Sequence, residues 1–224
     1  MTGMGRRGLA TCLLVLGLSG HARADGEPAL VQFSDRDNAT AGWKAHTSKN
    51  GVTLEKREVP GSAFYEYRAV VDIAVDPARA ADEVWATLRE GDMESLKHRE
   101  VLRASDRELI IYDQIRTPVV SDRDYTIRMR RLYDPARQRT QFRAETVTSF
   151  GPPPVRGYVR IPMIRAGWMT EPNGHGGTRL THYAYSEPGG LVAAFLVHGA
   201  QADRSLADVL RMRERLRRRV APGR

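Results

Sequence analysis

Apolar residues recur along this chain with two spacings, and the change from one to the other marks out the elements. Ala63, Tyr65, Tyr67, Ala69, Val71 and Ile73 alternate with Phe64, Glu66, Arg68, Val70 and Asp72. A period of two with one largely polar face predicts a half-buried antiparallel strand over 63–73. Asp76-Pro77 then supplies an N-cap and a first-turn proline. Ala81, Val84, Trp85 and Leu88 follow at helical spacing, which predicts a helix ending near Gly91. Beyond it the period of two returns. Strands are expected at 98–104, 108–116, 125–133, 140–149, 158–168 and 178–186. Asp106-Arg107, Asp134-Pro135, Gly151-Pro152-Pro153-Pro154 and Asn173-Gly174 mark the turns between them. Val52–Arg57 reads as a strand ahead of the Pro60-Gly61 turn, and a short helix is expected over 30–45 with Trp43 as its packing anchor. From Leu191 to Arg219 there is no proline, and Gly199 alone interrupts a long C-terminal helix as its expected kink or hinge. A helix, a strand meander and a closing helix make an α+β order.

The N-terminus has a different pattern. Arg6 and Arg7 precede an apolar run from Leu9 to Leu18, and Ala22-Arg23-Ala24 follows. This is the n-region, h-region and small-residue cleavage pattern of a secretory leader. The run is about half the roughly 20 apolar residues that a membrane span needs. We therefore expect an exported, periplasmic protein cleaved near Ala24, with a single domain over 25–224 and its core at about 30–220. The chain has 224 residues and 41% hydrophobic content, enough for one domain with a sizeable core. Cys12 is the only cysteine and lies in the leader. A mature chain without it has no disulfide, thiol nucleophile or thiolate metal site.

Charge adds a candidate partner. The net charge is +8; residues 1–24 contain three arginines and no acid, so the mature chain keeps +5. The excess gathers at the C-terminus, where Arg204, Arg211, Arg215 and Arg218 share one helical face. Export makes nucleic acid an unexpected partner. An anionic membrane surface fits better, at about 1 kcal/mol per basic residue near the lipid. Arg211, Arg215 and Arg218 are the docking candidates. The alternative is a solvated face set favourably at the negative end of the helix.

Several short motifs fall in a recognisable order. Pro118-Val119-Val120-Ser121-Asp122-Arg123-Asp124-Tyr125 resembles the "P-x-S-x-R-D-Y/F" signature of START (StAR-related lipid-transfer) domains. Gly51-Val52 with Glu55-Lys56-Arg57 resembles their first strand, and Ala80–Leu88 the helix after the second. Arg156-Gly157-Tyr158-Val159-Arg160 is similar to the "R-G-x-x-R" stretch. Thr178-Arg179-Leu180-Thr181 and Glu187-Pro188-Gly189-Gly190 resemble the strand and "D-P-G-G" turn before the last helix. The resemblance spans about residues 30–220. It implies a helix-grip fold: a curved antiparallel sheet wrapped around a long C-terminal helix, with an internal hydrophobic cavity for one lipid. The ligand would be of sterol, hopanoid, phospholipid or fatty-acyl type, and the last helix would act as a lid. No cofactor, no metal and no catalysis are implied, and a monomer is expected.

Strand parity nominates the cavity wall. Leu109, Ile111 and Asp113 share a face with Ile115. Tyr125, Ile127 and Met129 form the inward face of the next strand, and Phe142, Ala144, Thr146 and Thr148 that of the one after. Val192, Phe195 and Leu196 fall on one stripe at the start of the last helix, with His198 beyond. Tyr183 and Tyr185 are further hydroxyl donors whose side of the sheet parity leaves open. Asp113 is a carboxylate among aliphatic neighbours, which requires a partner. The resemblance implies an arginine where this chain has Met129, so the family's buried ion pair is expected to be missing. Asp113 is then left to a ligand hydroxyl or amine, to a structural water, or to His182. Two other readings stand beside the carrier. One is a cyclase- or hydrolase-like enzyme using Asp113 and His182 as an acid–base pair, although the six histidines are scattered and form no catalytic motif. The other is an interaction module whose cavity has collapsed.

Overall fold

The computed structural model describes residues 42–117 and 120–220, apart from the side chains of Phe195, Leu196 and Val220. The leader over 1–24, the first part of the 30–45 helix and the Pro118-Val119 start of the signature lie outside these residues. No described helix is long and apolar enough to cross a membrane.

Ten strands form one sheet. They are β1 (Lys44–Lys49), β2 (Val52–Glu58), β3 (Tyr65–Ile73), β4 (Leu96–Ala104), β5 (Glu108–Ile115), β6 (Arg123–Asp134), β7 (Arg139–Thr146), β8 (Val159–Arg160), β9 (Met163–Pro172) and β10 (Thr178–Glu187). The spatial order is β1-β2-β3-β10-β9-β7-β6-β5-β4, antiparallel throughout, and β8 pairs parallel with β6 off this path. Helix α1 (Pro77–Glu90) lies against β9, β7 and β10. Helix α2 (Ala194–Val220) runs along β3, β2 and β10 and touches α1. The core lies between sheet and helices. Tyr67, Ala69, Val71 and Ile73 of β3 meet Val84 and Trp85 of α1 and Leu206, Val209, Met212 and Leu216 of α2.

The α1 boundaries follow from local chemistry. The Asp76 carboxylate accepts from the amides of Ala78 (3.0 Å) and Arg79 (3.1 Å), and Pro77 occupies the first turn without needing a partner. At the other end Gly91 adopts a left-handed conformation (φ 76°) and its amide closes on the Thr87 carbonyl. Asp76→Ala should therefore cost about 1 kcal/mol. Urea denaturation checks this: an unchanged midpoint would show that the cap contributes nothing.

Three expectations are corrected. Residues 44–45 begin strand β1 instead of ending a helix, and Trp43 is no core anchor. Its ring packs against the Arg57 and Arg68 guanidinium groups, which lie 4.3 and 4.6 Å from the centroid. The expected 158–168 strand is two strands, because Pro162 cannot donate to a ladder. Val159 and Ile161 bond to the carbonyls of Asp122 and Asp124 before the chain crosses to β9. Finally, α2 is continuous through Gly199. A side chain added at Gly199 would meet open space.

The signature motifs turn out to be brackets between segments. Arg123 donates to the carbonyls of Ser121, Pro188 (3.2 Å) and Gly189 (3.4 Å), tying the start of β6 to the turn before α2. Asp124 accepts from Tyr112 (2.9 Å) and a two-pronged Arg160 (2.8 and 2.9 Å). Arg160 also reaches the Pro152 and Pro153 carbonyls. This folds the 147–161 segment over the outer face of β5 and β6, burying Ile110, Tyr112 and Thr126. Gly151 (φ 102°) lies so close to Thr126 that any side chain there would collide with its hydroxyl.

Candidate ligand-binding site

A pocket of about 170 Å³ opens between the sheet, the end of α1 and the middle of α2. Tyr125, Ile127 and Met129 of β6, Phe142 and Ala144 of β7, Ala166 and Trp168 of β9, and His182 of β10 form its sheet wall. Leu88 of α1 and Met93 beyond it form one rim, and Asp208, Arg211, Met212 and Arg215 of α2 the other. The space exists because small residues coincide. Ala144 stands directly opposite Ala166, which stands opposite Ala184 on β10. Large neighbours, the Trp85–Phe142 stack (5.9 Å) and the Trp168–His182 pair (4.3 Å), hold the walls apart on either side.

Six of the sequence-nominated residues meet here: Asp113, Tyr125, Ile127, Met129, Phe142 and Ala144. Leu109 and Ile111 point the same way but are sealed in the core. The Thr146 hydroxyl accepts from the Ile164 amide at 2.6 Å, and Thr146 is not part of the pocket wall. Tyr183 belongs on the outer face, because its neighbour His182 faces inward in a strand that alternates. Tyr185 shares that face, with Arg165 over its ring at 4.6 Å. Val192 precedes α2 and does not line the pocket. The side chains of Phe195 and Leu196 lie outside the described residues. His198 serves as a peg elsewhere. Its Nε2 is 2.9 Å from the Ala63 carbonyl, its ring lies 4.6 Å from Tyr65, and its own carbonyl accepts from Tyr67 (3.0 Å).

Asp113 has a charge partner after all. The fully buried carboxylate receives both Arg99 Nε (2.7 Å) and Nη2 (2.6 Å), and the Tyr125 hydroxyl donates at 3.1 Å. Arg99 also donates to the Leu88 carbonyl at 2.8 Å, one of those left open at the end of α1. The expected loss of a buried ion pair is thus corrected: β4 supplies the arginine that β6 lacks. Burial, reinforced by the Asp113 charge, pushes the Tyr125 hydroxyl well above the usual phenol range. Asp113 makes no bond to His182, so the acid–base pair does not form.

The basic face of α2 is largely engaged within the domain. Arg215, only 13% exposed, bonds Glu83 (2.8 Å) and Asp92 (2.9 Å) and also reaches Glu90. These hydrogen bonds, that to Glu83 foremost, raise its pKa. Arg211 pairs with Asp208 and, at 3.5 Å, with Glu94. Arg218 is different: it is 73% exposed and, among the described residues, pairs only with Glu214 of its own helix, at 3.5 Å. Of the three expected docking arginines, Arg211 is paired with an acid of its own helix and one beyond α1, Arg215 with acids of α1 and just beyond it, and Arg218 is the most exposed.

No family model matches the chain. An uncharacterised protein of Pseudomonas aeruginosa is 26% identical over 199 residues, which are 85% of this chain and 95% of that protein. Mouse phosphatidylcholine transfer protein is 24% identical over 164 residues, 71% of this chain and 77% of its own length. The crystal structure of a STAR-related lipid transfer protein fragment from Xanthomonas axonopodis matches with a TM-score of 0.69 and 26% identity. The match covers 79% of this chain and 99% of that one. The domain has the START-type helix-grip fold. In this START-like domain most of the resemblance motifs position the sheet cover and the start of α2, while the pocket wall is built from residues outside those motifs, Tyr125 and the Thr87-Leu88 end of the α1 stretch excepted.

Proposed function

We propose that this START-like domain takes up one lipid-like molecule between the sheet and α2 and carries it through water without chemical change. The observation that carries the reading is the pocket itself: an apolar wall of Ile127, Met129, Phe142, Ala144 and Trp168, with a mouth beside the end of α1. The physical motive is burial. Leaving a sixteen-carbon chain in water forfeits on the order of 13 kcal/mol, at about 0.8 kcal/mol per methylene.

The pocket is smaller than the several hundred cubic ångströms expected of a lipid site. A cavity of about 150 Å³ accommodates a benzene ring, and drug-sized ligands use about 300–1,000 Å³. At about 170 Å³ the pocket holds one end of a chain or one ring system. Loading a longer ligand therefore requires α2 to move outward and Met93, Met129 and Met212 to repack, which unbranched thioether side chains do readily. The ion pairs of Arg215 with Glu83, Glu90 and Asp92 hold that rim closed between visits. We further propose export through the residue 1–24 leader and contact with anionic membrane through Arg218.

The test is lipid recovery. Mature protein purified from its own host and sprayed under native conditions should carry one lipid per chain in the mass spectrum. Empty protein that also takes up no fluorescent sterol, phospholipid or fatty-acyl analogue would leave the collapsed-cavity interaction module as the better reading.

A further inference from the structure

Within the pocket one polar side chain stands apart from the rest. The charged and hydroxyl groups around it are already matched. Asp113 is held by Arg99 and Tyr125, Arg211 by Asp208 and Glu94, and Arg215 by three carboxylates. Thr87 gives its hydroxyl hydrogen to the Glu83 carbonyl at 2.8 Å. His182 is only 7% exposed and lines the same space. Among the described residues its Nδ1 is buried without any hydrogen-bond partner, and its one close ring contact is the face of Trp168 at 4.3 Å.

A buried imidazole nitrogen left unmatched is destabilising, so its place at a pocket wall calls for a partner that the described residues do not supply. The register places it opposite Trp168 on β9 and Ala69 on β3, facing α2. The charges that influence it are Asp208 and Arg204. Asp208 is engaged with Arg211, and Arg204 with the Ser95 hydroxyl at 2.5 Å. Neither neutralises a second charge brought into the pocket.

We propose that His182 is the polar anchor of the pocket, and that the ligand carries an uncharged hydrogen-bonding group, a hydroxyl above all, instead of a carboxylate or phosphate. This rests on the lipid-carrier reading above. A hydroxyl suits either tautomer, since it can give to a bare nitrogen or accept from a protonated one. A carboxylate would need the imidazolium as its partner, and burial shifts this histidine toward the neutral form. The arginines that line the same space are already paired, Arg99 with Asp113, Arg211 with Asp208 and Glu94, and Arg215 with Glu83, Glu90 and Asp92, so an anionic group would have to compete with these carboxylates for them.

The experiment compares three probes of one chain length: 1-dodecanol, dodecanoate and 1-chlorododecane. Binding is read by native mass spectrometry and by Trp fluorescence, with the wild-type protein, His182→Phe and His182→Gln. Wild type is expected to bind dodecanol about tenfold more tightly than dodecanoate or chlorododecane, the equivalent of one good hydrogen bond. His182→Phe should remove that advantage, bringing its affinities for dodecanol and chlorododecane within about twofold of each other. His182→Gln, which keeps a donor and an acceptor, should restore most of it. In ¹⁵N-histidine spectra, dodecanol should shift the His182 ring nitrogens of the wild type. Preference for dodecanoate, or a dodecanol affinity unchanged in His182→Phe, overturns the proposal while leaving the carrier reading intact. Failure of the folded wild type to bind any of the three overturns both.

Discussion

Replacing Arg99 with methionine is expected to destabilise the domain by about 3–5 kcal/mol, because it strands the Asp113 carboxylate in the core. Asp113 is 0% exposed, and its two oxygens take two hydrogen bonds from Arg99 and one from Tyr125. Only the neutral Tyr125 hydroxyl would remain. The Leu88 carbonyl would also lose its donor at the end of α1. For a domain of this size the loss lowers the melting temperature by about 10 °C. The companion variant is decisive. Arg99→Met with Asp113→Leu removes both charges and should recover most of the loss, since well-packed apolar replacements of buried pairs are often neutral or better. Asp113→Leu alone should be nearly as damaging as Arg99→Met. If Arg99→Met melts within 2 °C of wild type by calorimetry, roughly a 1 kcal/mol change or less, the ion pair is not structural.

Ala166→Phe is expected to empty the carrier without unfolding it. Ala166 sits at the centre of the pocket wall, with Ala144 and Ala184 beside it on the neighbouring strands. A phenyl ring there points into the void and fills most of about 170 Å³. Overpacking normally costs about 1–3 kcal/mol, but here the side chain enters existing space, so the change in stability should stay near the low end. Excluding three methylenes of a bound chain forfeits about 2.4 kcal/mol, a weakening of about fiftyfold. The readout is the affinity for 1-dodecanol beside the circular dichroism spectrum and the denaturation midpoint. Undiminished binding by a folded variant would show that ligand occupies some other space.

The elements with strong local signals were legible from the start. Asp76-Pro77 and Gly91 bound α1 because capping is a matter of a few adjacent atoms. The alternation over β5, β6 and β7 placed Asp113, Tyr125, Ile127, Met129, Phe142 and Ala144 on one side, and all six line the pocket. Strand β1 carried no such signal, because every one of its residues is exposed and hydrophobic alternation reports only burial. The acids that capture Arg215 lie more than a hundred residues away in sequence, so charge counting on α2 could not reveal that its basic face was already engaged. His182 entered the sequence reading only as a possible partner for Asp113, and its unmatched nitrogen appears only once β9 and β10 are side by side.

What the sequence determined by itself is the set of faces: which residues point inward, where α1 starts and stops, and the order of strands and helices. Those properties depend on neighbours along the chain, and period and capping record them. Tertiary structure decided which inward residues meet. Counting back from the Ala104–Leu109 pair would set Glu100 against Asp113, carboxylate to carboxylate. A bulge between Val101 and Arg103 shifts the register by one residue and puts Arg99 there instead. One extra residue in an edge strand thus converts a repulsive pair into the buried ion pair beside the pocket. No local pattern encodes that choice, because it is made by the free energy of the whole sheet.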